Sequence, residues 1–161
     1  MKKQEINFTL DIYTSEKELS EPDAALLAKA REITGIAYAP YSNFKVGAVA
    51  KLRNGEIVSG TNQENASYPV GICAERSLLA TLSTLFPNVA IETMAISYQN
   101  KKGESNKPIS PCGMCRQALV EYENRTQNPI RLIMSGLQGE VFIVEKADML
   151  LPLSFGSDDL K

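Results

Sequence analysis

Along Glu5–Tyr13, "EINFTLDIY", the apolar residues Ile6, Phe8, Leu10 and Ile12 fall at every second position. A period of two places them on one face, which predicts a half-buried strand, a loose N-terminal arm being the alternative. Glu21–Tyr38 carries Pro22 near its start and apolar residues at helical spacing, predicting a helix that ends near Gly35. Phe44–Asn62 holds two strand-like runs joined by Asn54-Gly55, a hairpin signal. Cys73–Phe86 reads as a helix stopped by Pro87, and Val89–Gln99 as a strand. Asn100–Ser110 is polar and turn-rich, predicting a surface loop that is mobile over Asn100–Lys107. Pro111–Glu123 reads as a further helix, with Ser110 as its N-cap and Pro111 at its first position. "PIRLIMSG" and "GEVFIVEKADML" supply two short strands, the second running into a short helix. This order of elements predicts an α/β domain, a sheet between layers of helix in an α/β/α arrangement.

Composition narrows the function more than the fold. A chain of 161 residues, 43% hydrophobic and 22% charged, suits one domain with a real core. The net charge of −2 offers no basic excess to grip a phosphate backbone, so no nucleic acid is expected as partner. The opening "MKKQEINFTLDIYTSEKELS" has two lysines but no apolar run behind them, and no segment is apolar enough to span a bilayer. No membrane partner is expected, and the expected location is the cytoplasm, where thiols stay reduced.

The chain has three cysteines, Cys73, Cys112 and Cys115, and no histidine. An odd count argues against a disulfide framework. Without histidine, Ser-His-Asp and Cys-His schemes are excluded and a zinc site must be built from thiolates and carboxylates. Cys112 and Cys115 are three apart at a predicted helix start, so their sulfurs point to one side, and Cys73 opens another predicted helix. Helix N-termini favour thiolates. Three protein ligands with an open fourth position is the catalytic zinc pattern, in which the metal lowers the pKa of water. Glu75, two residues after Cys73, is placed to take a proton from that water. Arg76 and Arg116 can reach the sulfurs from their own helices and offset the negative charge of three thiolates. Taken singly, Cys-x-x-Cys also suits a redox pair, Cys73 also suits plain core, and Arg76 also suits a solvated helix face.

The combination Cys73-Ala74-Glu75 with Pro111-Cys112-x-x-Cys115 resembles the zinc-dependent cytidine deaminase family, whose deaminase signature and chemistry are well described. The likeness to the small, free-nucleoside, all-cysteine type runs from about Pro22 onward through "YAPYSNFKVGA", "GTNQENASYPVGICAER", "ISPCGMCRQ" and "LLPLSFGSDDL". The resemblance implies a three-layer cytidine-deaminase-like fold with a mixed five-stranded central sheet plus an extra N-terminal strand or arm. It divides the chain into an extension over 1–20 and a deaminase domain over 21–161. It implies one Zn²⁺ per subunit on Cys73, Cys112 and Cys115, with Glu75 shuttling protons while the nucleophile attacks C4 of cytosine. It assigns Asn62 and Glu64 to the ribose, Phe44 to the base, and Ala66, Tyr68 and Phe155 to the pocket wall, partly across subunit boundaries of a homotetramer. On residue chemistry alone Asn62 and Glu64 also suit a turn, and Phe44 and Phe155 also suit packing. The implied activity is hydrolysis of cytidine and 2′-deoxycytidine to uridine and 2′-deoxyuridine plus ammonia, in pyrimidine salvage. The alternatives are a deaminase of blasticidin-S-type nucleoside antibiotics, a non-enzymatic zinc-binding module and a thiol redox protein.

Overall fold

The computed structural model describes residues 1–161. In chain order the elements are β1 (Asp11–Tyr13), α1 (Glu21–Ile33), β2 (Phe44–Leu52), β3 (Ile57–Thr61), α2 (Ala74–Leu85), β4 (Ile91–Asn100), α3 (Gly113–Thr126), β5 (Arg131–Ser135) and β6 (Val141–Val144). They form one six-stranded sheet in the order β1-β6-β5-β4-β2-β3. Only β4 and β5 run parallel; the other pairs are antiparallel. The sheet is therefore the mixed five-stranded core β2–β6 with a short sixth strand at its edge.

Both faces of the sheet are covered, and period-two alternation explains how. Val49, Ala95, Ile133 and Ile143 point to one face, where Leu26, Leu27 and Ala30 of α1 meet them. Their neighbours Ala48, Ala50, Met94, Ile96, Leu132 and Met134 point to the other face. There they pack on Leu78 and Leu82 of α2 and Leu119 of α3. Strands buried on both sides read as near-continuous apolar runs, which is how β2, β4 and β5 appear in the sequence. No helix is long and apolar enough to cross a membrane.

Three expectations are corrected. The N-terminal alternation pairs only over Asp11–Tyr13, against Val141–Ile143 of β6. Ile6 and Phe8 are 57% and 50% exposed, and β6 is only four residues long, so the edge offers no partner farther back along the arm. Helix α3 starts at Gly113 rather than Pro111, with Cys112 as its N-cap residue. Ser110 is drawn away from capping because its hydroxyl accepts a hydrogen bond from Arg116 at 3.0 Å. The polar loop after β4 is anchored: buried Ser105 accepts from Leu137 N at 2.7 Å through its carbonyl and from Asn100 N at 2.8 Å through its hydroxyl.

The hairpin turns through Gly55, whose φ of 89° suits a residue without a side chain. Gly60 of β3 has a different task. A Cβ there would lie 2.6 Å from the Ala74 carbonyl oxygen and closer still to Leu78 N. The absent side chain lets the first turn of α2 lie directly on β3. Gly60→Ala is therefore expected to destabilise the fold by about 1–3 kcal/mol or more, as overpacking does. A denaturation midpoint unchanged from the parent protein would contradict that reading.

Candidate metal centre and its cleft

Two helix starts converge on the three cysteines. Cys73 is the N-cap residue of α2 and Cys112 that of α3, and neither side chain caps its own helix. Both residues are extended in backbone, with ψ of 156° and 168°, so their sulfurs are free to point away from the helix axis. Cys115 lies in the first turn of α3 and is buried, Cys73 is half-buried and Cys112 is exposed. The Sγ atoms of Cys73 and Cys112 are 3.7 Å apart, those of Cys112 and Cys115 3.5 Å, and all three lie within 4.8 Å of one another. Tetrahedral zinc with sulfurs at about 2.3 Å requires neighbouring sulfurs about 3.8 Å apart. Two of the three separations match that spacing and the third lies within 4.8 Å, so the cluster suits the ion.

Their protons respond to this crowding. The hydrogen bond with the Cys115 thiol pulls Cys73 down to about 6, with the Cys112 thiol and the Arg76 charge helping and burial and Glu75 opposing. The same bond pushes Cys115 up, and burial and the Glu75 charge add to it. A cation bound among the three sulfurs would take the place of their protons.

Glu75 follows in the first turn of α2 and is only 5% exposed. Burial holds its carboxyl above the ordinary range, opposed by its own backbone N–H and the Cys115 thiol. It lines a cleft of about 340 Å³ together with Cys73, Cys112 and Cys115. Phe44, Asn62, Glu64 and Tyr68 form other walls of the same cleft. Phe44 opens β2 and stacks on Tyr98 of β4, with ring centroids 4.8 Å apart and planes at 16°.

The polar wall is built on the segment that follows β3, the second strand of the hairpin. Asn62 Oδ1 accepts from Val46 N at 2.7 Å and its Nδ2 donates to Phe44 O at 2.9 Å. The Asn62 amide thus clamps the start of β2, keeping one N–H and one lone pair for other partners. Glu64 accepts from Tyr41 N at 2.9 Å, from Ser42 N at 3.3 Å and from the Ser42 hydroxyl. Slight desolvation raises its pKa, but these hydrogen bonds prevail and hold the carboxylate below its ordinary range.

The remaining candidates lie elsewhere. Ala66 is exposed and Phe155 is 58% exposed, and neither lines this chain's own cleft. Phe155 is held outside α3, its carbonyl accepting from Gln117 Nε2 at 2.8 Å. Arg76 is half-buried, its Nη1 3.9 Å from Met114 Sδ, close enough for its charge to act on Cys73. Arg116 spends its guanidinium on Pro111 O at 2.8 Å, Leu150 O at 3.0 Å and Ser110 Oγ at 3.0 Å, not on a sulfur. Sequence reasoning missed Val46, Ile72 and Ile109 in the cleft wall and Tyr98 beneath Phe44. Val46 and Tyr98 sit in ordinary strand runs, and Ile72 and Ile109 are single apolar residues in loops, so none of them carries a signal of a site.

Residues 20–128, well over half of the chain and including all three cysteines, match the model of the cytidine and deoxycytidylate deaminase zinc-binding region. The chain belongs to this family. The cytidine deaminase of Sporosarcina psychrophila is 33% identical over 135 residues, covering 84% of this chain and 92% of that protein. That of Halalkalibacterium halodurans is 33% identical over 124 residues, covering 77% of this chain and 86% of its own length. Among solved structures, the cytidine deaminase of Burkholderia pseudomallei superposes with a TM-score of 0.71 at 34% identity, covering 85% of this chain and all of that one. Family membership and the sulfur spacing agree on zinc as the ion this site takes.

Proposed function

We infer that the chain is a zinc-dependent cytidine deaminase, hydrolysing cytidine and 2′-deoxycytidine to uridine and 2′-deoxyuridine plus ammonia. The observation that carries the reading is the juxtaposition of three clustered thiols and a buried carboxyl in one cleft. Cys73, Cys112 and Cys115 would hold the ion, and when bound it supplies a Lewis acid that makes water a nucleophile near neutral pH.

The protein's own groups do the rest. Glu75 takes a proton from the attacking water and delivers it to N3 of the cytosine ring as oxygen adds at C4. It then passes the second water proton to the departing amine, so that water is consumed and ammonia released in equal amounts. Burial suits Glu75 to this work because a carboxyl raised above its usual range is a better proton acceptor. Phe44, stiffened by Tyr98, offers a π-face to the base. Asn62 and Glu64 face the sugar, Glu64 as an acceptor for its hydroxyls. Arg76 offsets the charge of the thiolates, and Arg116 belongs to the support of the same centre.

The lining of the cleft favours an uncharged substrate. Its ionisable residues are Glu64, Glu75, Tyr68 and the three cysteines, with no lysine or arginine among them. A 5′-phosphate would meet a carboxylate and find no cation, and like charges placed together cost several kcal/mol. We further propose that residues 21–161 are the deaminase domain and 1–20 an extension lending β1 to the sheet edge. A homotetramer, in which Ala66, Tyr68 and Phe155 line the pockets partly across subunit boundaries, accounts for Phe155 being left 58% exposed outside this chain's own cleft, which Tyr68 already lines. Three free thiols suit a reducing cytoplasm.

Ammonia release from a panel of cytosine, cytidine, 2′-deoxycytidine, the 5′-monophosphates of the two nucleosides, blasticidin S and single-stranded DNA tests the reading. The two nucleosides are expected to be substrates, with kcat/KM for either monophosphate lower by about 10²-fold or more. A preference for a monophosphate would overturn the substrate assignment. Turnover of an antibiotic nucleoside with none of cytidine would move it to the alternative chemistry.

A further inference from the structure

The buried carboxylate of Glu123 takes no part in the proposed chemistry, and two of its three partners lie in the turn after β6. Glu123 Oε1 accepts from Ile130 N at 2.6 Å and Ala147 N at 3.0 Å, and Oε2 accepts from Asp148 N at 2.9 Å. Ala147 and Asp148 begin the single helical turn Ala147–Leu150 that follows β6. The far end of that turn is held by the same helix, because Leu150 O accepts from Arg116 Nη1 at 3.0 Å. Arg116 and Glu123 are seven residues apart on α3, two turns along one face.

The other two contacts of Arg116 point back toward the cysteines. Its Nε donates to Pro111 O at 2.8 Å and its Nη2 to Ser110 Oγ at 3.0 Å. Pro111 immediately precedes Cys112. One planar guanidinium therefore ties the segment carrying Cys112 to the turn at Leu150, while Glu123 fixes that turn at its other end.

We propose that Arg116 and Glu123 form a two-point clamp that positions the Cys112 sulfur for zinc through the Ala147–Leu150 turn. Arg116 is thus a positioning residue that works by the geometry of its fork rather than by its charge. The fork reaches three acceptors in fixed directions. A lysine ammonium is a compact point charge and cannot span the same set. With the clamp open, the exposed Cys112 arm of the site loses its restraint and the ion escapes through it.

This inference rests on the assignment of Cys112 as a zinc ligand, so zinc content of the unaltered protein is measured first. Less than stoichiometric zinc there would defeat the ligand assignment itself. The clamp is then tested by the rate at which zinc passes to a chromogenic chelator from the zinc-loaded full chain, below its melting temperature. Arg116→Ala and Arg116→Lys are both expected to release zinc about 10–100-fold faster than the parent protein, the range usual for partners that orient metal ligands. Release from Arg116→Lys at the parent rate would show that charge suffices and overturn the proposal.

Glu123→Gln keeps the shape but sets an N–H₂ against the N–H of Asp148. It is expected to speed release as well, and less than additively with Arg116→Ala, because both changes open one clamp. If the Arg116 variants do not fold, Glu123→Gln decides: release at the parent rate overturns the proposal, and faster release with an unchanged melting temperature supports it.

Discussion

Replacing Glu75 by alanine is expected to lower the rate of cytidine deamination by about 10²–10⁴-fold, the range a positioned proton carrier contributes. Zinc content should stay near one per chain, because the three sulfurs that face one another are untouched. Glu75→Gln is the sharper variant, since it fills the same space in the first turn of α2 and cannot accept the proton. It also makes a stability prediction with a definite sign. Burial raises the folded pKa of Glu75, so protonation favours the folded state. Its contribution is present below the ordinary carboxylate range and is lost as pH rises through the raised folded value. The metal-free Glu75→Gln protein should lack that loss and be at least as stable as the metal-free parent above this window. Absorbance loss on cytidine, paired with metal analysis, checks the main claim; turnover within a few-fold of the parent at full zinc would remove Glu75 from the mechanism.

Replacing Cys112 by serine is expected to cost zinc itself. A hydroxyl is a poor ligand for an ion that favours thiolates. Affinity should fall by more than the roughly 10–100-fold typical of changes to outer partners. Cys112 is the exposed member of the three, whereas Cys115 is buried in the first turn of α3. The serine variant should therefore fold, and its metal-free melting temperature should match that of the metal-free parent. Deamination should decline in proportion to zinc occupancy and recover in part with excess zinc. Stoichiometric zinc after dialysis would show that Cys112 is not a ligand.

How much of this was legible in the sequence depended on the range of the interaction. The cysteines were legible because spacing along a helix fixes which side chains share a side, and the absence of histidine left few other donors. The buried strands were legible because β2, β4 and β5 carry apolar runs long enough to cover both faces of a sheet. The start of α3 was misplaced by two residues because Ser110-Pro111 has the local chemistry of a helix start. The fork of Arg116, six residues onward, takes the Ser110 hydroxyl and the Pro111 carbonyl instead. The N-terminal strand was overextended because alternation reports a possible face, whereas pairing needs a neighbour, and β6 supplies only three partners. Ser105, Gly60 and the Glu123 contacts were not legible. Each depends at least in part on backbone groups far away in the chain, Leu137 for Ser105, Ala74 and Leu78 for Gly60, and Ala147 and Asp148 for Glu123, and no local pattern announces them.

The fourth position at zinc decides between a catalyst and a closed structural site. X-ray absorption at the zinc edge on the purified, zinc-loaded protein reads that position directly. The account predicts three sulfur neighbours at about 2.3 Å and one lighter neighbour at about 2.0–2.2 Å, changing on addition of a nucleoside inhibitor. Four sulfur neighbours, which would require a thiol from a second chain, or fewer than three, would contradict it.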